Sequence, residues 1–217
     1  MQKRTRLALA AVVSATLAIL PAALASADDA VPSPPVEKPV ADHLVIDGEE
    51  VPVAVMPGFA DSGPVVIATD NGLETGVIEE DGTITTDSAA GRPQSRAALA
   101  GCGGWTTWVA PANNLWNQSV PGCSLIGTTS TTTAGYSVTV DGSALAGACV
   151  QIKGHKLTPV STGGYQWVTD WKGIGCLPAY GGGGSGTILW GNVADTTRLL
   201  TKSSGGGVIG SSGMFAN

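Results

Sequence analysis

The sequence predicts an all-β protein, a small β-sandwich or barrel stapled by two disulfides and preceded by an acidic, hairpin-rich segment. Short β-branched runs alternate with glycine-rich turns, and four cysteines lie in the second half of the chain. After position 27, no long run places apolar residues at helical spacing. Many short strands at near-regular intervals are typical of sandwiches and barrels.

Residues 1–27 have the pattern of an export signal. Three basic residues precede an apolar run from Leu7 to Leu20, and Ala25-Ser26-Ala27 has the small-x-small form that signal peptidases cleave. The run is shorter than the roughly 20 residues that a membrane span needs. We therefore expect cleavage after Ala27 and a secreted, extracellular protein that has no membrane contact once the signal is removed.

The next two segments differ in composition. Residues 28–43 are rich in proline and charge, which predicts an extended tether. In residues 44–100, β-branched runs are separated by Asp47-Gly48, Asn71-Gly72 and Asp81-Gly82, and such dipeptides are strong hairpin signals. This segment therefore predicts acidic β-hairpins followed by a linker.

The charge pattern marks a boundary near residue 100. Residues 28–87 hold 14 acidic side chains and one basic one, whereas residues 88–217 hold three acidic and seven basic ones. Between them, "GRPQSRAALAGCGGW" has no strand or helix periodicity and contains Arg92 and Arg96. It is either an ordinary linker or a processing site, and processing would make residues 28–96 a pro-region. The C-terminal part has no basic stripe, so we expect no nucleic-acid partner.

The cysteines predict a disulfide framework, because export places them in an oxidising compartment. None belongs to a CxxC motif. Four cysteines permit three pairings. We expect Cys102–Cys123 and Cys149–Cys176, since each of these pairs joins neighbouring strand candidates. Loops of these lengths correspond to about 3.5 kcal/mol of stabilisation per disulfide in chain-entropy estimates.

Residues 101–217 read as one β module. "YSVTVDG" alternates cleanly, with Tyr136, Val138 and Val140 on one face. Further strand candidates are "ACVQIKG", "YQWVTDW", "GTILWGNV" and "TRLLTK". The run Gly181–Gly184 lacks the lysine of a phosphate-binding loop and is expected to be a mobile connection.

The series "CVQIKG…GIGC…GSGTILWGNV" resembles the C-terminal part of small secreted, disulfide-bonded β-rich proteins of actinomycete-type bacteria. The resemblance covers residues 100–200. It implies an exported β domain with disulfides, and it transfers no activity and no functional residue.

The module is poor in catalytic residue types. It has one histidine, His155, expected in a loop, and no GxSxG motif. Glycoside hydrolysis needs two paired carboxylates, and Asp141, Asp170 and Asp195 are the only acidic residues available. Asp141 precedes glycine, which indicates a turn residue. Asp170 is expected to form a hydrogen bond to a turn. We expect no catalytic residue, no metal site and no cofactor.

The tryptophans supply the candidate binding site. All six lie after residue 100, and Trp167 and Trp190 sit in apolar strand candidates that predict core packing. Trp105, Trp108 and Trp116 instead lie in a tract of Thr, Asn and Gln, the residue chemistry of sugar stacking and of protein interfaces. Ordinary core packing is the alternative for these three.

The sequence thus favours a non-enzymatic extracellular binding module for polysaccharide or cell-wall glycan. The alternative is a protein-directed module, such as a secreted protease inhibitor, and a hydrolase is a distant third. The partner would be an extracellular glycan or a secreted protein.

The first prediction concerns the boundary. Trypsin should cut first at Arg92 or Arg96, because the small residues around them offer little surface to bury. A stable C-terminal fragment beginning near Ala97 should accumulate in a time course followed by mass spectrometry. An early dominant fragment that starts beyond Cys102 would contradict the boundary.

Overall fold

A computed structural model describes residues 43–70, 72–86 and 104–217, and these residues form strands and no helix. The predicted all-β class is therefore confirmed. All described residues lie within one compact unit, Pro32–Asn217. None of their segments is a helix that could cross a membrane. Several predicted features fall outside the described residues: the signal peptide with its cleavage after Ala27, the tether up to residue 42, and the linker with Arg92 and Arg96.

The strands fall into two groups along the chain. Those before residue 87 are β1 (Leu44–Ile46), β2 (Glu49–Val51), β3 (Ala54–Val55), β4 (Gly63–Thr69), β5 (Gly72–Ile78) and β6 (Ile84–Thr86). Those after residue 103 are β7 (Thr106–Ala110), β8 (Asn117–Gln118), β9 (Ser124–Gly127), β10 (Thr133–Val140), β11 (Ala148–Pro159), β12 (Tyr165–Leu177), β13 (Gly183–Leu189), β14 (Val193–Thr196), β15 (Leu199–Ser203) and β16 (Ser211–Ala216).

Local sequence chemistry explains several of these elements. In β10, Tyr136, Val138 and Val140 are buried while Ser137 is exposed, as the alternation predicts. Asp47 and Gly48 both have positive φ and join β1 to β2 in a two-residue hairpin turn. Such a turn needs the left-handed conformation at both positions, which Asp tolerates and Gly adopts freely.

The strands form three sheets. The eight-stranded sheet has the order β2-β1-β6-β5-β4-β9-β14-β3. A four-stranded sheet, called the β10 sheet below, has the order β13-β10-β16-β7, and another, called the β11 sheet, has the order β12-β11-β15-β8.

The larger core cluster contains buried residues from both four-stranded sheets. It includes Val138 and Phe215 from the β10 sheet and Ile152 and Leu199 from the β11 sheet. Trp190 lies in the same cluster. The predicted core positions of Trp167 and Trp190 are therefore confirmed, since both side chains are buried there. With two phenylalanines in the whole chain, these indole rings supply much of the core volume.

The polyglycine run was expected to be a mobile connection, but Gly183 and Gly184 begin β13. A Cβ on Gly184 would press on the Leu177 side chain, and one on Gly186 would press on Ile174. The missing side chains therefore let the large residues of β12 pack closely against β13. Glycine here allows two sheets to pack closely. A run of glycines in the sequence looks the same whether it forms a loop or a closely packed strand.

The acidic hairpin segment shares a sheet with the C-terminal strands. Strand β4 pairs in parallel with β9, and β3 pairs in parallel with β14. The smaller core cluster likewise combines Ile67 and Val53 of the acidic segment with Ile126 and Ala194 from beyond the boundary. The charge boundary is thus not a boundary between sheets.

The disulfide Cys149–Cys176 is present and joins β11 to β12 at directly paired residues. This half of the expected pairing is confirmed. None of the described cysteines is a free thiol. The other expected bond, Cys102–Cys123, stays a prediction because Cys102 lies outside the described residues.

The shared sheet generates the second prediction. Arg92 is followed by Pro93, and trypsin does not cut Arg–Pro bonds, so the nick is expected after Arg96. After this cleavage the two fragments should stay associated, since separation would expose the edge of β9 and the buried residues that face it. No disulfide can connect them, because all four cysteines lie after Arg96. Size-exclusion chromatography of the nicked protein should give one peak, which splits in denaturant. Elution of the C-terminal fragment alone without denaturant would contradict the prediction.

Candidate functional site

The three candidate tryptophans do not form one exposed group. Trp108 is buried, with 1% of its surface exposed, and packs over Gly213 between neighbouring strands. Strand alternation explains this, because Trp108 and Ala110 face inward while Val109 faces solvent. Trp108 therefore cannot stack on a ligand in this fold. Trp105 is half exposed just before β7, and Trp116 is half-buried just before β8.

Four loops meet at one end of the C-terminal strands, and we call their exposed face the loop-end surface. The loops are residues 111–116, 141–147, 178–182 and 204–210. Ser204 N–H donates to the Gly147 carbonyl over 3.0 Å, and Tyr180 N–H donates to the Ala144 carbonyl over 3.2 Å. A Cβ on Gly207 would lie 3.5 Å from the Cβ of Asn114, which places the first and last loops side by side.

The loop-end surface is apolar. Each of its loops presents at least one large apolar side chain to solvent, and Val208 is the extreme case with 82% of its surface exposed. The full set is Leu115, Leu145, Tyr180, Val208 and Ile209. Asp141 is the one charged residue in these loops, and its carboxylate accepts a hydrogen bond from the Ser212 hydroxyl. Clustered exposed apolar side chains of this kind mark interaction sites.

Hydrogen bonds hold the backbone of two of these loops. The Asn113 side chain accepts a hydrogen bond from Leu115 N–H over 3.0 Å, and the Asn117 amide donates to the Leu115 carbonyl over 2.7 Å. Tyr180 has a positive φ of 57°, a conformation that costs a bulky residue energy and is found at functional positions. The backbone at Leu115 and at Tyr180 is therefore held by hydrogen bonds within and between the loops.

A second feature is a cleft of about 260 Å³ between the acidic segment and β12. Its walls include Pro52 and Tyr165, whose ring is exposed, and the Gln166 amide. At its base, Trp167 Nε1 donates to the Asn192 side chain over 2.8 Å, and Asn192 Nδ2 donates to the Pro52 carbonyl over 3.1 Å. The cleft is large enough for one sugar ring or one side chain.

A third feature is a buried cluster of Lys153, His155 and Asp195, which we call the buried triad. Lys153 Nζ lies 2.6 Å from Asp195 Oδ2, and His155 Nε2 lies 3.2 Å from the same oxygen. All three side chains are at most 1% exposed. Burial by itself would raise the pKa of Asp195, but the hydrogen bond from His155 and the charge of Lys153 lower it below its usual value.

Sequence reasoning missed this cluster. His155 was expected in a loop, but it lies within β11, where Lys153 and His155 occupy the same face. The ring of His155 packs edge-on against Trp190, with centroids 4.8 Å apart. The two-residue spacing of Lys153 and His155 within a strand candidate was the available signal. Their partner Asp195 lies on a strand of another sheet, which local pattern cannot reveal.

The acidic segment closes the buried triad. Met56 N–H donates to the Ala194 carbonyl over 2.9 Å, and the Thr196 hydroxyl donates to the Gly58 carbonyl over 2.9 Å. A Cβ on Gly58 would lie 3.0 Å from Asp195 Oδ1. These contacts leave no room for a substrate at the carboxylate.

The third prediction concerns Tyr136, whose hydroxyl donates to the Lys153 carbonyl over 2.7 Å. Burial raises the pKa of Tyr136 well above 10 in the folded protein. Its contribution to stability is therefore full below its unfolded pKa of about 10 and is lost as the pH rises beyond it. Tyr136→Phe should cost about 1 kcal/mol at pH 7 and should flatten the loss of stability between about pH 9 and pH 11.

Denaturant unfolding across that pH range measures both effects. Tyr165→Phe is the matched control, because the Tyr165 side chain is exposed. Parallel curves of stability against pH for wild type and Tyr136→Phe would show that Tyr136 does not cause the loss of stability at high pH, and would contradict the prediction.

Within residues 43–70, 72–86 and 104–217, no group of three or more His, Cys, Asp or Glu is arranged to hold a metal ion. Comparison with known proteins finds no matching family model, no matching curated protein and no matching solved structure.

Proposed function

We propose that this protein is a secreted, non-enzymatic binding module that docks on a partner protein through its loop-end surface. The observation that carries the proposal is the cluster of exposed apolar side chains on four hydrogen-bonded loops with one charged residue among them. Burial of such side chains by a partner is favourable at about 25 cal/mol per Å² of apolar surface.

The residue types favour a protein partner over a glycan at this surface. Sugar rings stack on flat aromatic faces that are flanked by polar groups, whereas Leu115, Leu145, Val208 and Ile209 are aliphatic. Aliphatic side chains around a single tyrosine match the apolar centre of a protein interface. The backbone hydrogen bonds at Leu115 and Tyr180 lower the ordering cost on binding.

The buried triad supports the non-enzymatic part of the proposal. It combines residue types that catalyse reactions elsewhere, but its side chains are at most 1% exposed and are covered by Met56 and Gly58. A soluble substrate has no access to such groups. The proposal needs no cofactor.

Secretion is supported by the sequence of residues 1–27 and by the Cys149–Cys176 bond, which suits an oxidising compartment. A protein that acts outside the cell benefits from cross-links that limit unfolding and proteolysis.

A glycan is the second candidate ligand, and the cleft beside Tyr165 is the observation that favours it. An exposed aromatic ring next to the Gln166 amide is suited to stacking and hydrogen bonding with one sugar unit. Of the three tryptophans first considered, Trp105 and Trp116 keep exposed surface for the same purpose.

The fourth prediction tests the protein-directed function. A photo-crosslinking amino acid at position 208 should give a covalent adduct with one defined protein in the medium or on the surface of the producing cells. The same group at Leu73, which is exposed on β5, is the control and should give none. The double variant Leu115→Asp, Leu145→Asp should abolish the adduct while its thermal unfolding stays unchanged.

A pull-down on insoluble glycans distinguishes the second candidate. Retention of wild type on a glycan, lost in Tyr165→Ala or Trp105→Ala, together with no adduct from position 208, would replace the protein partner with a glycan. Adducts of equal yield from positions 208 and 73 would contradict a specific loop-end surface.

A further inference from the structure

Lys153 and Asp195 are placed for a reaction with each other. Their side chains meet with Nζ 2.6 Å from Oδ2, and neither is more than 1% exposed. Holding an amine and a carboxyl group in contact in a buried site raises their effective concentration towards each other. The same pair in water would stay two solvated ions.

The carboxyl group of Asp195 is oriented by a second contact. Thr196 N–H donates to Oδ1 over 2.6 Å, while Oδ2 faces Lys153 and His155. The two oxygens are therefore distinct. Oδ1 is held by a backbone donor that can stabilise negative charge developing on it, and Oδ2 lies where protons can be delivered.

His155 supplies a proton carrier at the required position. Its Nε2 lies 3.2 Å from Oδ2, within reach for proton transfer to that oxygen. Its ring is fixed edge-on against Trp190. Burial penalises both charges of the pair, while the mutual attraction keeps the pKa of Asp195 low, so the proton has to pass between the two groups in contact.

We propose that Lys153 and Asp195 form an intramolecular isopeptide bond between Nζ and Cγ. A proton passes from the ammonium to the carboxylate, and the neutral amine attacks Cγ. The N–Cγ bond forms, and the negative charge on Oδ1 is stabilised by Thr196 N–H. His155 carries a proton from Nζ to Oδ2, the Cγ–Oδ2 bond breaks, and one water leaves. No oxidant or reductant is involved.

The product fits the site better than the reactants do. A buried ion pair bears the desolvation cost of two charges, whereas an amide is neutral. The bond would also join β11 of the β11 sheet to β14 of the eight-stranded sheet. Cys149–Cys176 links two strands within one sheet, so the amide would add a covalent connection between sheets.

The fifth prediction is a mass. After full reduction and alkylation under denaturing conditions, the purified secreted chain should weigh one water molecule less than its N-terminally sequenced chain plus its alkyl groups. Fragmentation of a protease digest should show the peptide containing Lys153 joined to the one containing Asp195. A chain of full sequence mass would overturn the proposal, since an ion pair does not survive denaturation.

Water loss elsewhere must be distinguished. Asp-Gly pairs such as Asp47-Gly48, Asp81-Gly82 and Asp141-Gly142 can cyclise with the same mass change. Hydroxylamine opens those cyclic imides but leaves an amide intact. A deficit that disappears with hydroxylamine, or that maps to those positions, would also overturn the proposal.

Variants assign the roles. Lys153→Met and Asp195→Ala should have full mass, and Lys156→Met, which removes the exposed Lys156–Asp170 pair, should keep the water deficit. In chains that are synthesised unfolded and of full mass, His155→Phe should slow bond formation during the first folding by about 100-fold or more, the range for a positioned acid–base group. An unchanged rate in a folded His155→Phe chain would remove His155 from the reaction. A water deficit that persists in Lys153→Met would refute the bond itself.

Discussion

The burial of β14 on both faces is the constraint on which the rest of the structure depends. All four of its residues are buried, with Val193 in the larger core cluster and Ala194 in the smaller one. Its two edges pair with β9 and β3. A strand surrounded in this way cannot leave a polar side chain unsatisfied, so Asp195 must find partners inside the protein. Lys153, His155 and the Thr196 amide provide them.

This constraint also explains why the acidic segment belongs to the fold. Met56 N–H donates to Ala194 of β14, and Ala54 N–H donates to Asn192, which immediately precedes β14. Strand β4 extends the sheet beyond β9. Without these residues, β14 would lose its pairing with β3, and the Asp195 carboxylate would lose the cover of Gly58. The acidic side chains can remain on the outside of the segment, because its inward residues are aliphatic. The acidic composition of this segment therefore does not prevent it from being part of the folded core.

The packed strands and the exposed apolar loops are separate parts of the C-terminal region. The β10 and β11 sheets share the larger core cluster, which fixes the ends of the four loops. The loops then expose aliphatic side chains to water, which lowers solubility. A binding partner that covered these side chains would remove this disadvantage. The Cys149–Cys176 bond lies two residues from two of these loops, and the buried triad lies within the strands.

The sequence alone determined the features that depend on short-range pattern. These are the all-β class, the Asp47-Gly48 turn and the alternation in β10, whereas Cys149–Cys176 belonged to one of three possible sets of pairings until the structure showed it. Only the tertiary structure decided that Trp108 faces inward, that the four loops converge, and that Lys153 and His155 meet Asp195. The physical reason is that periodicity specifies which residues share a strand face. Which face is buried, and against which distant strand, depends on non-local pairing that the sum of all core contacts selects.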